Sequence, residues 1–332
     1  MSKTPTAVNS GKSGRAGKVT IVDIALAVGL DKSSVSRALG DNGKISAATR
    51  TRVRQAALEL GYQPNVAARQ LRTGGHLAVG LAIPVKVLDL YIVVKTIQEL
   101  SLLALERKVI LSVISCPSTE PGHFMADGIL AWGDIPFDDI QALCVNGSPF
   151  VVIDPNNPSY LNRTGPCVRI DNAGGATAVT DHLMGHGAKR LLFVKAQEGH
   201  IGHDERFAAA RAAWLKKRPL HTITTCLFRE LTDEHLKAFA AEPHGAIFCS
   251  NDQGAIAVWH RMARLGLKAP ENLMLAGFDG DPYGELFGLT TAVVDAAKLA
   301  KESFDLLLAL MDRAAKGHSR TVPVELRTGS TS

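Results

Sequence analysis

Residues 31–37, Asp31-Lys32-Ser33-Ser34-Val35-Ser36-Arg37, put three hydroxyls and two long cations around a single strongly apolar side chain. Hydroxyl, ammonium and guanidinium groups hydrogen-bond both base edges and phosphate oxygens, so on an exposed helix this run suits insertion into a DNA major groove. The reactive arrangements elsewhere fail by comparison. His182 and His186 stand i, i+4, but Leu183 replaces the glutamate of a HExxH zinc motif, and the spacing reads as a solvated helix face. His200 and His203 read as loop residues with no cysteine or carboxylate set at ligand spacing. Asp279-Gly280-Asp281 opens like a calcium loop, yet Thr290 stands where the closing glutamate belongs. Gly11-Lys12-Ser13 lacks the first glycine of a P-loop, because Thr6 holds that place. With no GxSxG, no GxGxxG and no nucleophile beside a plausible base, neither catalysis nor a cofactor or metal is expected.

The DNA-type run needs elements to present it. Thr20 and Asp23 have capping-box spacing, and Ile21, Ile24, Ala25 and Val28 then form one apolar stripe of a short helix. Gly29 ends that helix, Asp31 caps a second, and Val35, Ala38 and Leu39 give the second only a narrow buried seam. A third helix fits Ala47–Leu60, capped by Ser46 and stopped by Gly61, with Val53, Ala56, Ala57 and Leu60 on its inner face. Three such stripes can share one small core. Charge agrees with this placement: residues 1–75 carry 12 Lys and Arg against 4 Asp and Glu, a net +8, leaving 25 against 28, a net −3, for residues 76–332.

From Val19 to Arg72 the chain resembles the headpiece and hinge of the lac repressor family of bacterial transcription regulators; the hinge match is Tyr62-Gln63-Pro64-Asn65-Val66-Ala67-Ala68-Arg69-Gln70-Leu71. The likeness runs from residue 18 to about 328. It implies that Lys32, Ser33 and Ser36 read bases, that Arg37 meets a base edge or phosphate, and that Ser46 and Thr49 anchor phosphate. Thr20, Ser34, Tyr62, Asn65 and Ala68 join the expected DNA contacts, and Leu71 takes the place of the leucine that wedges between base steps. A hinge this short rarely holds a helix alone in water, so its helicity should depend on DNA and on a second copy beside it. That implies a homodimer and a roughly palindromic operator. No leucine heptad follows Thr328, which disfavours a tetramerising extension, although pairing of dimers stays open.

Beyond His76 the pattern changes to α/β. Leu77–Ile83 is a nearly continuous apolar run closed by Pro84, as expected of a central parallel strand. Further strands are expected near 109–115, 128–132, 150–153, 190–194, 223–227, 246–249 and 274–278, with helices over 91–106, 174–187, 205–217, 252–266 and 297–315. The fold class is therefore α/β behind a three-helix helix-turn-helix headpiece, and the resemblance implies a periplasmic-binding-protein-like effector domain with parallel sheets. The expected division is a flexible tail over 1–17, the headpiece over 18–63, a hinge helix and linker over 64–75, and an effector-binding and dimerisation domain over 76–332. Within the last, one subdomain takes about 76–170 and 297–322 and the other about 171–296 and 323–332, with crossovers near Ile170, Asp295 and Val322.

Ligands of such folds sit outside the carboxyl ends of the strands. Asp154, Asn251 and Asp279 fall at such ends. By the resemblance they match effector-binding positions, Arg206 matches an arginine that reaches into the cleft, and Tyr91 offers a stacking face. Carboxylates, an amide and a guanidinium suit a sugar, a sugar acid or a related metabolite. Two departures bear on that expectation. Only eleven residues separate Cys116 from Gly128, too few for a full crossover helix, and Val294 stands where the lac repressor has a polar residue, making one side of the pocket less polar. A regulator whose cleft has lost its ligand, or an α/β enzyme with a DNA-binding tag, are the competing readings.

Composition bounds the remaining classes. At 332 residues, 46% hydrophobic and 21% charged, the chain has material for about two domains with real cores. Its N-terminus lacks the apolar stretch of a signal peptide, and no apolar run is long enough to span a bilayer. Five scattered cysteines without a CxxC indicate neither a zinc ribbon nor a disulfide framework, and fit small core residues in a reducing cytoplasm. A cytoplasmic protein that partners operator DNA and a small effector, with no membrane, is expected.

Overall fold

The computed structural model describes residues 19–39, 45–60, 62, 77–116, 126–144, 147–161, 165–218, 223–312 and 319–332. The expected tail, the hinge residues Asn65, Ala68 and Leu71, and most of the shortened stretch after Cys116 lie outside the described residues. The chain divides into two compact units, Met1–Arg69 and Gln70–Ser332.

The first unit contains α1 (Ile21–Val28), α2 (Lys32–Leu39) and α3 (Ala47–Glu59). Each begins and ends where local chemistry dictates. The Asp23 carboxylate accepts from both the amide and the hydroxyl of Thr20 at 2.7 Å, fastening the start of α1. Gly29, at φ 62°, takes the left-handed conformation that ends the helix without a Cβ penalty. Ser46 caps α3 by accepting from the Thr49 amide at 3.2 Å. The apolar stripes converge as one core of Ile24, Ala25, Val35, Ala38, Val53, Ala57 and Tyr62. Arg52 donates to the Val28 carbonyl at 3.0 Å, tying α3 to the end of α1.

The second unit holds two six-stranded sheets. In the first, β1 (Ala78–Pro84), β2 (Ile110–Cys116), β3 (Gly128–Trp132), β4 (Phe150–Ile153), β5 (Cys167–Ile170) and β11 (Arg320–Val322) lie in the order β11-β5-β4-β3-β1-β2, all parallel. In the second, β6 (Arg190–Lys195), β7 (Ile223–Leu227), β8 (Gly245–Cys249), β9 (Leu273–Asp279), β10 (Thr290–Val294) and β12 (Val324–Arg327) lie in the order β12-β10-β9-β8-β6-β7, with β12 alone antiparallel. The intervening helices are α4 (Tyr91–Glu106), α5 (Phe137–Leu143), α6 (Asn172–Gly185), α7 (Ile201–Lys217), α8 (Asp233–Ala240), α9 (Asp252–Arg264), α10 (Pro282–Glu285) and α11 (Ala296–Met311).

The chain leaves the first sheet after Ile170, returns from the second after Val294, and crosses once more between Val322 and Val324. At two of these passages an aspartate starts the next helix: Asp171 accepts from the Gly174 amide and Asp295 from the Lys298 amide, at 2.9 and 2.8 Å. The continuous apolar runs become buried central strands, and Trp214, Phe193, Phe248, Phe278 and Phe304 fill the core between sheets and helices. Burial of these aromatic bodies together with the many Val, Leu and Ile side chains of the core drives this arrangement.

Among the described residues the expected strands and helices are present with shifted ends. The shift reaches four residues at the end of α11, which stops at Met311 rather than 315, and at the start of α7, which begins at Ile201 rather than Glu205 because the His200 ring caps it. His203 consequently lies in a helix and not in a loop. Short β5, β10, β11 and β12 and helices α5, α8 and α10 were not marked by apolar periodicity alone. All five cysteines are free.

Candidate functional site

The first candidate surface is the start of α2. Asp31 gathers the hydroxyls of Ser33 and Ser34, at 2.6 and 2.5 Å, and the Ser34 amide at 2.8 Å. These bonds, that from the Ser33 hydroxyl foremost, hold its carboxyl well below the usual carboxylate range. Both hydroxyls donate inward, and the Ser34 oxygen also accepts from Arg37 Nη2 at 3.5 Å, which leaves the Ser33 oxygen as the freer acceptor. Arg37 is laid back along the helix, Nε donating to the Ser33 carbonyl at 3.2 Å, while Lys32 stays exposed and Ser36 half-buried. Ser46 and Thr49 share a hydroxyl contact of 2.8 Å at the start of α3. Thr20 is exposed at the start of α1. Tyr62 differs in character: it is 8% exposed and packs into the headpiece core.

The second candidate site lies at the strand ends of the larger unit and is organised by Arg206. This arginine is 4% exposed. Its Nε donates to Asn172 Oδ1 at 2.8 Å, and its Nη1 donates to the Ser250 carbonyl at 2.5 Å and to Asp279 Oδ1 at 3.3 Å. Its guanidinium lies 3.6 Å from the ring centroid of Phe278, a cation–π platform. Gly175 makes that platform possible, since a Cβ there would stand 2.8 Å from the Phe278 ring. Asn172 is held in turn, donating to Glu205 Oε2 at 2.9 Å, and Glu205 lies 3.6 Å from Arg169 on β5.

Two carboxylates complete the centre. Asp154, directly after β4, accepts from the Ile170 amide at 3.2 Å and from Asn156 at 2.8 Å. Burial raises its pKa, against the pull of Asn156 and Arg206. Asp279, the last residue of β9, is pushed up to about 6 by burial, with Arg206 opposing and Asp154 adding repulsion. Both residues hold positive φ, 48° and 112°, a conformation that side chains other than glycine adopt only under structural constraint. Neighbouring Asp252 is locked by the amides of Gly280 and Asp281 and the hydroxyl of Thr291, at 2.8, 2.7 and 2.6 Å, and so braces the loop that carries Asp279.

The other expected residues stand around this centre. Asn251 caps α9 by accepting from Gly254 at 2.9 Å, which occupies its oxygen and leaves its amide nitrogen for other partners. Tyr91 begins α4 of the first sheet, within electrostatic reach of Asp281, Glu285 and Arg327 around the second. Val294 is buried in the core. The two sides are joined at Asn156, whose carbonyl accepts from Ile201 at 2.9 Å and whose side chain accepts from Gly202 at 3.1 Å. Asn156, Asn172 and the Ser250 carbonyl are the members that sequence reasoning missed. Only the strand-end position of Asn156, two residues past Asp154, carried a local signal. No cluster that could hold a metal ion occurs among the described residues, and no described helix is long and apolar enough to cross a membrane.

Comparison with known proteins finds relatives of both units. Residues 20–65 match the family described as bacterial regulatory proteins, lacI family, and residues 180–332 match the periplasmic binding protein-like domain. The chain is 26% identical over 281 residues to catabolite control protein A of Staphylococcus aureus, covering 81% of this chain and 84% of that one. It is 26% identical over 310 residues to the ribose operon repressor of Halalkalibacterium halodurans, covering 89% and 91%. Its fold superposes with a TM-score of 0.66 on the lac repressor dimer bound to operator and the anti-inducer ONPF, at 20% identity, covering 95% of this chain and 99% of that one.

Proposed function

We propose that the chain is a DNA-binding transcriptional regulator of the lacI type, as its match over residues 20–65 and its relatives support, and that it is a repressor controlled by a small hydroxyl-bearing metabolite. It binds a roughly palindromic operator as a homodimer, with Lys32, Ser33, Ser34, Ser36 and Arg37 presented to the major groove and Ser46 and Thr49 to phosphate. Leu71, with Asn65 and Ala68, serves the hinge. The effector occupies the space around Arg206, Asp279, Asp154, Asn251 and Tyr91 and biases the two sheet-centred subdomains toward one relative arrangement.

The observation that carries this reading is the restraint of Arg206. A guanidinium pinned on Nε and Nη1 by an asparagine and a carbonyl, and seated on a phenyl ring, is oriented before any ligand arrives. Preorganisation of this kind lowers the ordering cost of binding. The name of the ribose operon repressor lends the same direction to the ligand class. Regulation follows only where the ligand binds the two arrangements with different affinity.

A thermal-shift screen with sugars, sugar acids, sugar phosphates, polyols and nucleobases, run beside Asp279→Ala, tests the cleft. A ligand at about 100 times its Kd adds about 2.7 kcal/mol to folded-state stability. The expected result is a shift in the natural chain that Asp279→Ala abolishes. A shift of equal size in both proteins would place the ligand elsewhere.

A further inference from the structure

One buried feature of the cleft is left unexplained by the residues that hold Arg206. The first two turns of α7 present His200, His203 and Arg206 in succession. His200 Nδ1 accepts from the His203 amide at 3.3 Å, and the two imidazoles stack with centroids 3.9 Å apart and planes 18° from parallel. His203 is 6% exposed, and among the described residues its Nδ1 is buried without a hydrogen-bonding partner. The Gln197 backbone also forms a hydrogen-bonding interaction with the His203 ring, and a buried ring nitrogen left unpaired costs free energy that a ligand contact would offset.

The pair stands at the start of the helix that carries Arg206. Arg206 acts electrostatically on both rings, and Lys86, which follows β1 of the first sheet, acts on His200. Asp204 and Lys195 are the other charged groups acting on them. Burial, with Arg206 close by, keeps both rings neutral: His200 is lowered to about 3 and His203 well below the ordinary range. A neutral imidazole offers a flat apolar face and one nitrogen of each hydrogen-bonding sense, and it cannot neutralise an anion. Arg206, the nearby buried cation, is already engaged by Asn172, Ser250 and Asp279. Asp154 and Asp279 add negative charge.

We propose that His203 Nδ1 is a ligand-binding group and that the stacked His200–His203 pair forms a neutral wall selecting an uncharged, hydroxyl-bearing ligand over a sugar acid or sugar phosphate. A ligand hydroxyl suits Nδ1 in either tautomer, because it both donates and accepts. This inference rests on the effector reading above and adds to it the residues and charge class of the ligand.

The test uses the full chain and four probes: D-ribose, D-glucose, D-glucuronate and ribose 5-phosphate. Without ligand, His203→Leu is expected to melt at or above the natural chain, since it removes an orphaned polar atom from a buried site. With an uncharged sugar that stabilises the natural chain, His203→Leu should weaken binding at least tenfold, and His203→Asn, whose amide can take the place of Nδ1, should recover part of the loss. Clear destabilisation of ligand-free His203→Leu would make the residue structural and overturn the proposal. Preferential stabilisation by glucuronate or the phosphate would overturn its selectivity, as would silence from all four probes. If Asp279→Ala abolishes sugar binding and His203→Leu leaves it intact, the histidine wall falls while the effector reading stands.

Discussion

Asp279 carries the most testable single ionisation. Its folded pKa of about 6 lies above its ordinary value of 3.8, so protonation favours the fold. That contribution is complete below about pH 4 and is lost as pH rises through about 6. His200 and His203 act with the opposite sign, because their lowered values penalise the fold as pH falls below the ordinary histidine value of 6.5. The two effects overlap in one pH window, and only a difference separates them. Asp279→Asn should therefore gain stability relative to the natural chain as pH rises from 4 to 7, as followed by urea unfolding at each pH. A constant difference would mean that Asp279 ionises as an exposed carboxylate. The carboxylates were legible in sequence because each directly follows an apolar strand, where the fold places ligands. Asn172 and the Ser250 carbonyl were not, since their partner Arg206 lies 34 and 44 residues away and only the folded topology brings them together.

At the scale of elements, apolar patterning decided what could be read. Strands such as β1 and helices such as α4 announce themselves through long apolar runs or sustained period, and their ends agree with expectation to within a residue or two. β11 and β12, of three and four residues, carry charged or polar residues instead of an apolar run and pair at the sheet edges beside β5 and β10, whereas four-residue β4 was legible because Phe150–Ile153 is wholly apolar. The early start of α7 had a different cause, a histidine acting as the cap where Ser, Thr, Asp or Asn is usual. In the headpiece the caps read from Thr20 and Asp23, Asp31 and Ser46, and the stop at Gly29, are present, while Gly61 lies outside the described residues. Ser46→Ala removes the acceptor for the Thr49 amide and should cost the headpiece about 1 kcal/mol, read as a lower denaturation midpoint for the headpiece signal with that of the larger unit unchanged. Equal midpoints would show that α3 starts without this cap.

For the whole molecule, the central claim is that occupancy around Arg206 changes the hold on DNA. The charge is divided in a way that suits that task, +8 over residues 1–75 against −3 over the remainder, so the attraction to phosphate is concentrated in the N-terminal quarter of the chain. Coupling between them is a difference in ligand affinity between two arrangements, reciprocal by linkage, so whatever the effector does to DNA affinity, DNA does to effector affinity. The most direct measurement is the affinity of the full chain for its selected operator, by fluorescence anisotropy at fixed salt, with and without the ligand identified by thermal shift, beside the same titration of Asp279→Ala. The expected result is a change in operator affinity of at least fivefold in the natural chain, in the range of typical coupling energies of about 1–3 kcal/mol, and none in Asp279→Ala. Operator binding that is unaltered by a ligand bound at Arg206 and Asp279 would contradict the claim and leave a DNA-binding protein whose cleft does not regulate it.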